Sequence, residues 1–275
     1  MAYSGLAYAY FSADEFYLPP QDAAPGMREF ARKALQLDDR LAEAHVWLAF
    51  VNFSYDWDWA AAEREFDRAL ELDPNSAVAH EAYGVYLSMM RRFDQAIAEG
   101  KCSVELDALS LEAHNFLGQS LIFARRHDEA IDLIGKALDL DPNYFFARLS
   151  LGQAYLAKGD TLQAIAQLEQ ARKVQEVSDV VGALGYAYAA AGRKAEAKHL
   201  LTLLKERAKR TYVPAYDIAI IYVGLGQPDQ AFEWLERAYR DHSVLVGFLN
   251  VSPELDRLRS DPRFADLLRR MGLSQ

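Results

Sequence analysis

The sequence predicts an all-α fold in which pairs of helices repeat and stack as an α-solenoid. Small residues recur about every 34 positions, and apolar residues inside each period follow helical spacing. The stretch RALELDPNSAVAH, at 68–80, returns two periods later as KALDLDPNYFFAR, at 136–148. Together these features predict about seven helix pairs and a C-terminal capping helix.

The period is carried by three ladders of residues. The first ladder is spaced 34 residues apart with one step of 33, and consists of Ala62, Ala96, Ala130, Ala164, Ala197 and Ala231. The second ladder has the step of 33 residues at the same place and consists of Ala49, Gly84, Gly118, Gly152, Gly185 and Ala219. A third, of larger residues, consists of Leu87, Leu121, Tyr155, Tyr188 and Tyr222. Since helix axes pack about 8–10 Å apart, Gly118 and Ala130 should lie where the two helices of one unit meet closely.

Residues 111–143 show one unit clearly. Apolar residues keep helical spacing on both sides of the polar stretch RRHDEA. Asp128 stands where a carboxylate could cap the second helix, and Pro142 should end it.

This pattern resembles the tetratricopeptide repeat (TPR), a helix–turn–helix unit of 34 residues. The first half of its signature is matched by AYGVYL, FLGQSL, SLGQAY, ALGYAY and DIAIIY, and the second half by DQAI, DEAI, LQAI, AEAK and DQAF. The resemblance is strong from Ala42 to Leu245 and weak before Ala42. It implies a right-handed superhelix whose first helices line a concave groove for partners.

We therefore expect one TPR domain over residues 1–275. Residues 1–41 form a degenerate first repeat that carries the insert SADEFYLPPQDAAPG, which we expect to be an exposed loop because Pro19 and Pro20 disfavour helix. Residues 42–245 form six regular repeats. The first of these, which is the second unit of the chain, has an extra residue in its turn (SYDWDWAAAE). Residues 246–275 form the cap, with a helix from about Pro262 to Met271 that seals the last repeat through Phe264, Leu267 and Leu268.

The cap also resembles the end of TPR regions in multi-domain bacterial signalling and transcriptional regulators. That resemblance, together with an opening stretch that reads as the interior of a helix, predicts a cytoplasmic chain that continues upstream.

Charge and composition disfavour several classes of function. The net charge is −10, and the basic stretch 193–210 reads as a solvated helix face, so we expect no direct nucleic-acid binding. No apolar run approaches the ~20 residues of a membrane helix, and we expect no membrane partner. The single Cys102 allows no internal disulfide, which fits a reducing compartment.

No catalytic motif emerges, and we predict a protein that is not an enzyme and needs no cofactor or metal. His45, His80 and His114 recur at equivalent positions of successive units. Because such positions lie about a helix diameter apart, the three rings cannot converge on one ion. Trp57 and Trp59 are either an exposed interaction spot or packed side chains, and both alternatives stay open for Trp57.

Projection of the TPR groove positions onto the chain gives a candidate partner-binding surface. It consists of Phe50, Phe53, Glu81, Val85, Met89, Asn115, Gln119, Phe123, Leu149, Gln153, Tyr186, Tyr216 and Ile220. Amides in its middle could bond a peptide backbone, and aromatic rings supply contact area. Alternatively, several of these residues pack against adjacent helices.

Members of the family that bind chaperone C-terminal tails hold the terminal carboxylate with Lys and Asn on these helices. The matching positions here contain no Lys, so we expect no such tail to bind. The leading hypothesis is a scaffold that binds a protein or peptide in the groove. The alternatives are a sensor of a small apolar or peptidic molecule, and self-assembly through the N-terminal edge; the sequence leaves the oligomeric state open.

Overall fold

The computed structural model describes residues 2–14 and 18–273, and every regular element among them is helical. The first helices of the pairs are α1 (Ala2–Asp14), α3 (Ala42–Val51), α5 (Ala77–Met89), α7 (Leu111–Phe123), α9 (Phe145–Lys158), α11 (Ser178–Ala190) and α13 (Ala215–Gly224). The second helices are α2 (Pro20–Leu37), α4 (Trp59–Leu72), α6 (Phe93–Leu106), α8 (His127–Leu140), α10 (Thr161–Val174), α12 (Lys194–Arg207) and α14 (Pro228–Arg240). Consecutive helices pack on one another along the array, which confirms the predicted all-α solenoid.

The small-residue ladders mark the helix contacts, as predicted. A Cβ added at Gly118 would overlap Cγ1 of Ile134, and one added at Gly152 would come within 2.6 Å of Leu168 Cγ. Ala130 is completely buried. Small side chains at these positions therefore set the spacing of the two helices in each unit.

A further ladder lies in the turns that follow the first helices of units two to seven, where the backbone takes a positive φ. Its members are Trp57, Arg91, Arg125, Gly159, Gly192 and Gly226. In five of these turns, from the one at Arg91 onward, an amide just after the turn donates to a carbonyl near the helix end, as in Arg92 N to Leu87 O at 2.9 Å. This left-handed cap costs little for glycine and strains other residues.

The predicted N-cap of α8 is wrong, and so is the predicted loop in the first repeat. Asp128 does not cap α8, because the helix begins at His127 and Arg126 takes the N-cap position. Asp128 lies in the first turn and pairs with Lys158 at 2.6 Å instead.

The insert in the first repeat is not the exposed loop that the sequence predicts. Helix α1 continues to Asp14, and α2 begins at Pro20 and contains Pro25. Proline fits the first helical position because no intrahelical N–H bond is needed there. Pro20 is buried, and so are Ala23 and Ala24 of the same stretch. The part of the insert at residues 15–17 lies outside the described residues.

The extra residue of the second unit is absorbed in a π-helical turn, Asn52–Asp56, between α3 and α4. Trp57 follows it with φ 53° and is displaced from the regular turn geometry. π-helical turns of this kind place side chains that a regular helix would direct elsewhere.

The C-terminal part of the chain leaves the repeat and forms two 3₁₀ turns, Val244–Phe248 and Pro253–Leu258, followed by α15 (Pro262–Arg270). The predicted final helix is confirmed: Asp261 caps it, Phe264 and Leu267 are buried, and Leu268 is partly buried. We call residues 244–258 the inner segment, because they lie against the first helices of several units.

Candidate functional site

The predicted groove residues divide into two sets. Buried within the chain are Phe53, Met89, Asn115, Leu149, Tyr216 and Ile220. Partly exposed are Phe50, Glu81, Val85, Gln119, Phe123, Gln153 and Tyr186. A partner could reach only the second set without rearranging the protein.

The inner segment explains part of this burial. Phe248 stacks on Phe123 with ring centroids 5.4 Å apart, and Tyr216 donates from its hydroxyl to Ser252 Oγ at 3.2 Å. Arg125, which follows α7, pairs with Asp256 at 2.7 Å. The segment thus crosses the groove face of the array near the ends of the first helices.

The inner segment is a fixed part of the core. Its buried apolar side chains are Val246, Leu249, Val251, Leu255 and Leu258. Burial of each contributes about 1.5–3 kcal/mol. Together they contribute roughly 8–15 kcal/mol before the conformational entropy of ordering the segment is subtracted, so the segment belongs to the core of the array.

Trp57 and Trp59 are partly buried and connect the second unit to the C-terminal part of the chain. The Trp57 ring stacks on Tyr239 at 4.8 Å and on His242 at 4.3 Å between centroids. Trp59 Nε1 donates to the backbone carbonyl of Met271 at 2.7 Å. The second unit therefore contacts the last repeat and the end of α15, which closes the array on itself.

Two polar groups among the predicted groove residues are unusual, one in the accessible set and one in the buried set. Burial, together with the negative charge of Glu112, raises the pKa of Glu81 to about 8. Asn115 Oδ1 is buried and has no hydrogen-bond partner among the described residues. The Gln119 amide donates to Ser150 Oγ at 3.1 Å, so it is already engaged by the next unit.

A pair of carboxyl groups lies between α11 and α13. A Cβ added at Gly182 would lie 3.0 Å from Cβ of Asp217, so the glycine lets the two helices approach closely. Asp217 and Asp179 are hydrogen-bonded, and burial followed by the charge of Asp179 holds the pKa of Asp217 well above its usual range. The pair therefore retains a proton that two separate carboxylates would lose. The repeat pattern carries no sign of this pair, because the two residues do not share a repeat position.

A polar cavity of about 190 Å³ lies where the inner segment crosses the array. Its polar lining residues are Arg125, His127, Gln153, Tyr186, Glu254 and Asp256. Burial raises the pKa of both Glu254 and Tyr186, and burial followed by the charge of Arg125 lowers the pKa of His127. His127 Nδ1 is buried without a hydrogen-bond partner in the described part of the chain. The sequence analysis had found Gln153 and Tyr186 by repeat position but had no signal for the other four.

The histidine ladder serves the repeats themselves. His45 Nδ1 lies 2.6 Å from Glu65 on the second helix of its unit, and His80 makes the same contact with Glu99 at 2.5 Å. The hydrogen bond with Glu65 raises the pKa of His45. Among residues 2–14 and 18–273, no group of three or more His, Cys, Asp or Glu side chains is arranged to hold a metal ion.

Family models and solved structures agree with this architecture. Tetratricopeptide repeat models match residues 65–98 and 121–177. A thermophilic TPR protein of Thermus thermophilus is 19% identical, with 71% of this chain and 99% of that chain covered and a TM-score of 0.58. PilW, a type IV pilus biogenesis factor, is 17% identical, with 79% and 95% covered and a TM-score of 0.59. PilF of Pseudomonas aeruginosa is 18% identical, with 84% and 98% covered and a TM-score of 0.53.

No curated protein matches the sequence significantly. At such low identities the likeness to solved structures concerns the fold. The two family models show that the chain contains tetratricopeptide repeats at residues 65–98 and 121–177, and the solved structures show the same fold. Across the described ranges, no helix combines the length and apolar character needed to span a bilayer.

Proposed function

We propose that this chain is a non-enzymatic scaffold that binds a peptide or protein partner on the accessible part of its groove, as a module of a larger cytoplasmic bacterial regulator. The proposal rests on one observation. Successive first helices present a row of partly exposed side chains on the groove face of the array. The similarity of the fold to PilW, a pilus biogenesis factor, supports a role in protein assembly.

The accessible residues suit an extended peptide with apolar side chains. Phe50, Val85 and Phe123 supply apolar contact area, and the Gln153 amide can both donate to and accept from a peptide backbone. Glu81 holds a proton near neutral pH and can donate to a peptide carbonyl. Since the matching positions have no Lys, a chaperone C-terminal carboxylate is not the expected partner.

The test begins with peptides selected from a displayed random library on the immobilised protein. Their affinities are then measured by calorimetry for the wild type, Val85→Lys and the control Leu109→Lys. Leu109 lies in a turn between units and is 75% exposed, so lysine there should be harmless. We expect Val85→Lys to weaken binding at least tenfold, about 1.4 kcal/mol, and Leu109→Lys to change little. Equal affinities for all three proteins would reject the groove, and cleavage of the peptides would reject a non-enzymatic role.

A second candidate function is the sensing of a small molecule. The cavity beneath the inner segment favours it, because residues from three repeats and from the C-terminal part of the chain meet around one bounded space. Its lining favours a polar ligand, in contrast to the apolar or peptidic molecule that the sequence predicts.

A further inference from the structure

The inner segment converts one stretch of the open groove into a bounded cavity. The array contributes Arg125, His127, Gln153 and Tyr186 to its wall, and the segment contributes Glu254. Buried apolar side chains anchor the segment in the core, so this wall is part of the folded array. A cavity of about 190 Å³ has room for roughly six water-sized groups.

The two carboxyl groups that line the cavity differ in their ion pairs. Asp256 is paired with Arg125 and also with Arg259, both at 2.7 Å. Glu254 forms no ion pair within the described residues, although it lines the same cavity. Among the described residues that line the cavity, Arg125 is ion-paired with Asp256 and acts on Glu254 only through its charge.

We propose that this cavity binds a small primary ammonium compound, whose charged group is held by Glu254. An ammonium group has three N–H donors, and the wall offers acceptors in the Glu254 carboxylate, the Gln153 carbonyl and the Tyr186 hydroxyl. A buried carboxylate is stabilised by a cation that it can hydrogen-bond. An anion would meet two carboxyl groups, and a neutral molecule would give Glu254 no directly paired cation. The proposal goes beyond the scaffold function and does not depend on it.

Binding of an ammonium ion at Glu254 should change the number of protons that the protein holds. Burial raises the pKa of the Glu254 carboxyl, and an adjacent ammonium ion would lower it. Binding should therefore release up to one proton per site in the pH range where the empty carboxyl is protonated. The other charged or titratable groups facing Glu254 are Arg125, His127, Tyr186, Tyr216 and Asp256. None of them gains a partner of opposite charge from an ammonium ion as Glu254 does, because Asp256 is already paired.

The experiment uses n-butylammonium, with n-butanol and butyrate as neutral and anionic analogues of the same length. Calorimetry in buffers of different ionisation enthalpy measures affinity and proton release together, between pH 5 and 8. We expect saturable binding of n-butylammonium with a Kd of about 1 mM or below, proton release, and at least tenfold weaker binding of the two analogues.

Two variants and one control assign the site. Glu254→Gln keeps the shape and removes the charge, so it should weaken n-butylammonium binding at least tenfold and abolish proton release. Gln153→Leu removes a hydrogen-bond acceptor from the cavity wall and leaves the sequence of the inner segment unchanged. It should weaken n-butylammonium binding while proton release remains. Glu112→Gln, at the other end of α7 and exposed, should bind as the wild type does.

The proposal is overturned if n-butanol binds as tightly as n-butylammonium, if no saturable binding occurs, or if Glu254→Gln and Gln153→Leu both bind normally. Circular dichroism verifies the fold of each variant. A loss of peptide binding at the groove with ammonium binding retained would reject the scaffold function alone, so the two failures are distinguishable.

Discussion

Substitution of Gly118 by alanine tests whether the small-residue ladder sets the helix spacing. The new methyl group would overlap Cγ1 of Ile134 and lie 2.8 Å from its Cδ1. Ile134 is completely buried, so its side chain cannot move away into solvent. Overpacking of this kind costs about 1–3 kcal/mol, whereas replacing a helical glycine by alanine contributes up to about 1 kcal/mol.

Gly135→Ala is the matched control, because it lies on α8 and a Cβ there meets nothing within 4 Å. Only the gain in helix propensity acts at Gly135, so the difference between the two variants isolates the overpacking at about 1–3 kcal/mol. In an Ile134→Ala background the methyl group at Gly118 meets open space, and the substitution should become neutral or stabilising.

Urea unfolding with linear extrapolation gives the free energy of unfolding for each variant, provided that the m-values agree. The reasoning is refuted if Gly118→Ala and Gly135→Ala are equally stable, or if the Ile134→Ala background leaves the effect of the Gly118 substitution unchanged.

Three further predictions concern strain and protonation. Arg91 has φ 60°, so Arg91→Gly should stabilise the protein by about 1 kcal/mol in thermal or urea unfolding, while Gly192→Ala, at φ 79°, should destabilise it similarly; equal stabilities would contradict the strain. The pKa of Glu81 is raised from 4.5 to about 8, so its folded form favours the proton and stability is lost as pH rises between those values. Glu81→Gln should therefore match the wild type near pH 4 and be at least about 1 kcal/mol more stable at pH 9, and parallel pH–stability curves would contradict this. The pKa of Asp217 is also raised, so Asp217→Asn should stabilise above pH 4 and flatten the pH dependence of unfolding; a loss of stability equal at every pH would show that the pair holds no extra proton.

The repeat could be predicted from the sequence because close helix contacts require small side chains at fixed positions. Gly118 and Gly152 are examples, since a Cβ at either would overlap a residue of the facing helix. The ladder of left-handed turn residues was missed although it has the same period. Arg91 and Arg125 take glycine's conformation without being glycine, so composition gave no signal there. The insert was mispredicted because Pro20 was taken to prevent a helix, whereas proline at the first helical position begins one.

The C-terminal contacts could not be predicted, because a repeat period determines neighbouring contacts and carries no information on how far the array curves. Trp59 and Met271 are 212 positions apart, and their hydrogen bond depends on the summed rotation of all the intervening units. Trp57 reaches Tyr239 only after an irregular π-helical turn. For the same reason the sequence could identify Gln153 and Tyr186 as groove residues but could not place Glu254 beside them.

This closure changes which part of the protein determines its binding. In an open array, the residues at repeated positions would define the groove, and the chain after the last repeat would only cover its end. Here the inner segment buries five apolar side chains of its own and adds Glu254 and Asp256 to a surface built by the repeats. Substitutions in residues 244–258 should therefore alter both the stability of the array and the ligands that it accepts. Equivalent substitutions at exposed positions on the outer faces of the second helices should alter neither, because those side chains point into solvent.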